Sequence, residues 1–189
     1  MRIIRTFRVS IGLLLCICLK GFVPETGYCG PTTVKKERVH AEAKLSQDGI
    51  NVGAKCHLLL IVTIDKGWHI NSATPNLEEY SGTFVDMEKL PGVKLVDVQY
   101  PEGVQQAFEF ADVPLDVYEG SVRIPMTIEV ADTTKPGKYD VGLNLHYQAC
   151  SNNVCLAQTA LRVSVPLRVV ARGETVSPSN EILFKAIER

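Results

Sequence analysis

Two cysteines separated by four residues, Cys150 and Cys155 in "YQACSNNVCLAQ", have the clearest capacity for chemistry in this chain. A pair at this spacing can be a structural crosslink, part of a metal site, or a disulfide that is made and broken by exchange. Closing a loop of about six residues stabilises a fold by only roughly 2 kcal/mol in the chain-entropy picture, so a purely structural bridge is a weak use of the pair. A short loop with a polar lining and no bulky shield is open to an attacking thiolate. A metal site would have to recruit His146 and His69, and "HYQACSNNVC" is not an established ligand spacing. Spacing alone leaves the three readings open.

The elements that must position the pair read as strands. In "DVGLNLHYQAC" alternate residues take opposite faces: Leu143, Leu145 and Tyr147 read as core, while Asn144, His146, Gln148 and Cys150 fall on the other side. Cys150 is therefore expected to end a strand on its polar face, with His146 beside it as the one local group that favours a thiolate when protonated. No Lys or Arg lies near in sequence, so the pair is better suited to being attacked than to starting an attack. Upstream, "VHAEAKLS", "KCHLLLIVTID", "TFVDMEKL", "VKLVDVQY" and "SVRIPMTIEV" read as strands, and "TALRVSVPLRVV" makes a last long one. "QDGINVG", Pro91–Gly92 and "ADTTKPGKY" supply turns between them. Short alternating runs punctuated by Gly and Pro predict an all-β, antiparallel sandwich. The tail "SPSNEILFKAIER" predicts a short C-terminal helix, capped by Ser179 or Asn180, with Ile182, Leu183, Ala186 and Ile187 on one face. The expected division is a leader and linker over 1–30, a sandwich over 34–171 and a tail over 172–189.

Bulk properties narrow the function. A formal net charge of −1 provides no basic stripe for nucleic acid, and 46 % hydrophobic content supports a real core. Arg2, Arg5 and Arg8 precede an apolar run from Val9 to Leu19, the pattern of a secretory signal, so an exported, periplasmic or otherwise extracytoplasmic location is expected. No small-x-small cleavage site follows cleanly and Lys20 interrupts the run, so a signal peptide and an uncleaved anchor both fit. Cys16, Cys18 and Cys29 follow Leu15, Ile17 and Tyr28, which makes them poor lipidation sites. Export implies an oxidising compartment in which disulfides persist. Cys29 lies in the linker "PETGYCGPTT", and Cys56 in "AKCHLLLIVTI" reads as a buried small apolar residue, with a Cys29–Cys56 bridge as the weaker reading. Neither a cofactor nor a metal is called for.

With these residues in hand, the chain resembles the N-terminal periplasmic domain of the thiol–disulfide interchange protein DsbD. Four segments carry the likeness: "KGWHINSATP", "YPEGVQQAFEFADVPLDVYEG", "SVRIPMTIEV" and "YQACSNNVCL", in this order over about Val34 to Val170. The resemblance implies an immunoglobulin-like sandwich bearing one redox-active disulfide, Cys150–Cys155, that relays reducing equivalents between thioredoxin-like proteins. It implies that Cys155 forms the mixed disulfide and Cys150 resolves it, under a cap tipped by Phe110 with Glu109 beside it. The chain departs from the pattern in three places. Phe108 stands where the best-known member is acidic, His69 and Asn71 stand where it has tyrosines, and "CLAQ" lacks the proline that often follows the second cysteine. Because no membrane electron-carrier domain follows Arg189, the electron donor is expected to act in trans. A reading from a different class is a non-enzymatic, partner-binding sandwich that keeps the disulfide as a loop staple.

Overall fold

The computed structural model describes residues 37–185. Cys16, Cys18, Cys29, the leader and linker, and the expected helix residues Ala186 and Ile187 lie outside this range. The all-β expectation holds. Two four-stranded sheets form an immunoglobulin-like sandwich, and a third, smaller sheet carries the site.

The first sheet has the order β1 (Val39–Leu45), β3 (Lys55–Ile64), β9 (Ser121–Val130), β6 (Val93–Val98), all antiparallel. The second has the order β2 (Ile50–Asn51), β12 (Thr159–Val170), β10 (Gly137–Tyr147), β5 (Phe84–Met87). β2 lies inside "QDGINVG", expected to be entirely turn, and makes the parallel pairing Val169↔Ile50 with β12. Strand period decides what is buried. Val122, Ile124, Met126, Ile128 and Val130 of β9 all face inward, as do Val163, Val165, Leu167 and Val169 of β12. They meet Leu58, Leu60 and Val62 of β3 and Leu143, Leu145 and Tyr147 of β10 in one continuous cluster, which Cys56 joins as a buried free thiol. Burial raises the Cys56 pKa, consistent with an apolar packing role.

Local chemistry fixes the connections. Pro91 and Gly92 form a tight turn in which Val93 N donates to Leu90 O (3.1 Å); Gly92 takes φ 78°, and a Cβ there would run into Thr134 Oγ1. Pro125 sits mid-strand in β9 without an N–H to donate. Its carbonyl accepts from Gln99 N (2.8 Å), so the missing donor points where the pairing with β6 has already ended at Val98.

The tail crosses back over the start of the sandwich. Asp48 N donates to Ser177 O (3.0 Å), Ser179 N to Ser46 O (2.8 Å) and Asn180 Nδ2 to Leu45 O (2.9 Å). The expected helix is the single turn α1 (Glu181–Lys185). It starts at the Asn180 carbonyl, which accepts from Leu183 N (2.9 Å), and it buries none of its residues; Ile182 is 87 % exposed.

Candidate functional site

The third sheet has the order β11 (Ala149–Cys150), β4 (His69–Asn71), β8 (Leu115–Tyr118), β7 (Val104–Gln106). Its strands are too short to show a period, and tyrosine and asparagine side chains bolt it together. Tyr118 Oη donates to Pro101 O (2.7 Å) and accepts from Ala73 N (3.1 Å), tying β8 to the segments that enter β7 and leave β4. Asn71 is buried; its Nδ2 donates to Ser81 O (3.0 Å), and its carbonyl accepts from Thr83 Oγ1 (2.6 Å). Asn71 thus closes the 72–83 loop, using its amide on backbone rather than on the cysteines.

Cys150 and Cys155 are joined in a disulfide, with S–S 1.98 Å and Cα atoms 4.0 Å apart, across an isolated antiparallel bridge. The connecting turn is held by Ser151: its N–H donates to Val154 O (2.8 Å), and its Oγ accepts from Val154 N (3.2 Å) and Asn153 N (3.3 Å). Leu156 N donates to Ala149 O (2.8 Å) and Gln148 Nε2 to Leu156 O (3.1 Å), closing the base of the hairpin.

The two sulfurs' residues sit in opposite environments. Cys155 is exposed, next to the half-exposed Val154, whereas Cys150 is only 1 % exposed. The expectation of an exposed Cys150 on the polar face is therefore corrected. Alternation assumed one strand running through Gln148, but β10 stops at Tyr147 and β11 belongs to another sheet, so Tyr147, Ala149 and Cys150 are all buried. His146 is corrected with it. Its Nε2 lies 2.6 Å from Asp86 Oδ2 and its ring stacks on Phe84 (4.2 Å, 6°), which turns it toward β5 rather than toward the sulfur. Tyr147 packs in the main core, and burial raises its pKa.

On its buried side Cys150 faces His69, its directly opposed partner across the β4–β11 pair. Opposed residues of an antiparallel pair project on the same face with Cβ atoms about 4.5–5.5 Å apart. The His69 ring stacks on Phe108 (4.1 Å, 26°), and Phe108 stacks on Phe110 (5.2 Å, 15°). Burial lowers the His69 pKa to about 4, so the imidazole is neutral near pH 7. Its Nε2 is buried and has no hydrogen-bond partner among the described residues.

The sequence singled out Phe110 as the cap tip, but Phe108 is the ring that meets His69. Ala111 N donates to Phe108 O (3.2 Å), so residues 108–111 form a turn that leaves Phe110 42 % exposed and Glu109 exposed. Phe108 is buried in a separate small cluster with Leu115 and Val117, against which Leu77, Tyr80 and Ala111 pack. The departure from an acidic residue at this position therefore fills an apolar site. The turn within "FEFA" was the unused signal.

Residues 27–166 match the family described as "Thiol:disulfide interchange protein DsbD, N-terminal". No curated protein sequence matches the chain significantly. Among solved structures, the N-terminal periplasmic domain of ScsB from Proteus mirabilis superposes with a TM-score of 0.53 at 15 % identity, over 80 % of this chain and 53 % of that one. The chain thus spans about half of that structure's length, and the likeness is one of fold. The Neisseria meningitidis DsbD N-terminal domain in its reduced form gives a TM-score of 0.41 at 15 % identity, over 68 % of this chain and 86 % of that one. With the family match covering most of the chain, this protein belongs to the family of DsbD N-terminal domains, the thiol–disulfide interchange type.

Proposed function

We propose that the Cys150–Cys155 disulfide is redox-active and relays reducing equivalents between thioredoxin-like proteins on the extracytoplasmic side of a membrane. The observation that carries this reading is the asymmetry of the pair: an exposed Cys155 on a polar turn, backed by a Cys150 that is 1 % exposed. A partner can reach one sulfur and not the other, which sets the order of bond changes.

In the first half-reaction a thiolate of a thioredoxin-like dithiol attacks Cys155 Sγ. The new intermolecular S–S bond forms as the Cys150–Cys155 bond breaks, and the electron pair leaves on Cys150 Sγ. The partner's second thiolate then attacks its own bridged sulfur and releases Cys155. The partner ends oxidised and this domain reduced, with two electrons and two protons transferred. In the second half-reaction the Cys155 thiolate attacks an acceptor's disulfide, and Cys150 displaces the acceptor from Cys155. Phe110 and Val154, both exposed beside these elements, would meet the partner first.

The test is a trapping experiment. Cys150→Ala removes the resolving sulfur, so the full chain should accumulate a mixed disulfide through Cys155 with a thioredoxin-like protein, visible as a reducible mass shift. Cys155→Ala should trap nothing, because the remaining sulfur is buried. Failure of Cys150→Ala to trap, together with a wild-type disulfide that resists reduction in the folded state, would instead favour the loop-staple reading.

A further inference from the structure

His69 has a position and a chemical state that packing alone does not account for. It is 2 % exposed, opposite Cys150 in the β4–β11 register, with its ring plane fixed by the Phe108 stack. Its Nε2 and Ser72 Oγ are the two buried side-chain polar atoms without a partner among the described residues. Ser72 belongs to the opposite face of that segment, since residues two apart share a face and neighbours do not. Asn71, on the face of His69, has given its amide to Ser81. A buried ring nitrogen without a partner is costly unless some state of the molecule satisfies it. In the oxidised protein the residue across the strand is a disulfide-bonded cysteine, whose sulfur is a weak acceptor. Once the disulfide opens, the same sulfur is a thiolate, which accepts strongly.

We propose that His69 is a positioning residue for the exchange reaction, donating its Nε2–H to the Cys150 thiolate that forms when a partner opens the disulfide. The inference rests on the exchange reading above and adds the group that receives the departing sulfur. No proton changes owner in the step. As the partner's thiolate bonds to Cys155 Sγ and the electron pair moves to Cys150 Sγ, the pre-existing N–H turns from unpartnered to hydrogen-bonded. An interaction made only after the bond starts to break stabilises the transition state more than the resting disulfide. It also lowers the pKa of the Cys150 thiol, and a more acidic leaving thiol departs faster. A lowered His69 basicity, from burial, keeps the ring neutral, so it acts as a donor without delivering a proton. The other titratable groups on the elements around β4 are Asp116 and Tyr118 of β8, Glu109 and Asp112 of the cap segment, and Cys155 across the hairpin. Tyr118 is committed to Pro101 O and Ala73 N, and Glu109 and Asp112 are exposed.

The experiment uses the full chain labelled with carbon-13 at each cysteine Cβ and reduced with dithiothreitol, with every Cβ shift followed across pH by NMR, a readout that needs no reagent to reach the buried Cys150 sulfur. Assigned resonances separate Cys150 from Cys155 and from the buried Cys56. The expected titration midpoint of Cys150 in the wild type lies below the free-thiol value of about 8.5. His69→Phe keeps an aromatic ring on Phe108 but has no donor, and should raise the midpoint by about one unit, a tenfold loss of thiolate. His69→Gln returns an N–H at a similar reach and should restore it to within about half a unit of the wild type. A His69→Phe midpoint equal to that of the wild type would overturn the proposal. If His69→Phe fails to fold, the wild-type midpoint decides alone, and a value at or above about 8.5 overturns the proposal equally. No protein partner enters these measurements. A wild-type protein that thioredoxin-like dithiols cannot reduce would therefore count against the exchange reading and leave the His69 result standing.

Discussion

The sandwich and the small sheet solve the same problem at different scales. The sandwich buries long strands whose alternate residues interlock in one cluster, from Val39 on β1 to Val169 on β12. The small sheet has strands of two to four residues; Ile70, Tyr118 and Ala149 anchor one side of it in the main cluster, and its other side leans on a satellite cluster in which Phe108, Leu115 and Val117 are the buried members. The difference teaches where chemistry can be placed. A disulfide that must open needs surroundings that yield locally while the domain stays folded, and segments with few buried apolar contacts open at lower free energy than the core.

The comparison can be broken at either end. Leu60→Ala, at a fully buried position of β3, should cost about 2–5 kcal/mol of global stability, read from chemical denaturation. A smaller loss would mean that the sandwich is looser than its packing implies. Acid should weaken the region around the small sheet next. Below about 6.5, the ordinary His value, the unfolded chain takes up a proton at His69 that the folded chain refuses until near pH 4. The unfolded state then binds more protons, so stability falls as pH drops through this window, by up to about 3 kcal/mol. His69→Phe should flatten that part of the stability–pH curve.

Phe108→Ala sharpens the contrast. It should shift the global unfolding transition by less than Leu60→Ala does, yet speed reduction of the disulfide by dithiothreitol roughly tenfold, because local opening suffices. Equal effects on both readouts would show that the satellite cluster is part of the main cooperative unit. At the small end, Ile182→Ser on the exposed side of α1 should change stability by no more than about 0.5 kcal/mol in the same denaturation assay.

How much of this was legible beforehand follows the same divide. The bounds of β9 and β12 coincide with the runs "SVRIPMTIEV" and "TALRVSVPLRVV", because long half-buried strands write their period into the sequence. β7 and β8 have three and four residues and left no such trace. Cys150 and His146 were misplaced for one reason: alternation was carried through Gln148, where the chain changes sheets. "FEF" showed two aromatic rings, but only the Phe108–Ala111 turn decides which of them is buried. The site's residue types were thus readable from sequence, while their facing depended on tertiary pairings that no local pattern records.

The tail strap has a mechanical meaning. Tension applied beyond Lys185 would load the bonds of Ser177, Ser179 and Asn180 to the β1–β2 connection, in series, before any force reached β12. β12 is the strand whose first residues follow Cys155, and it is zipped to β10 along its length. The strap therefore acts as a strain relief, and a tether attached there could pull on the domain without tugging on the disulfide hairpin.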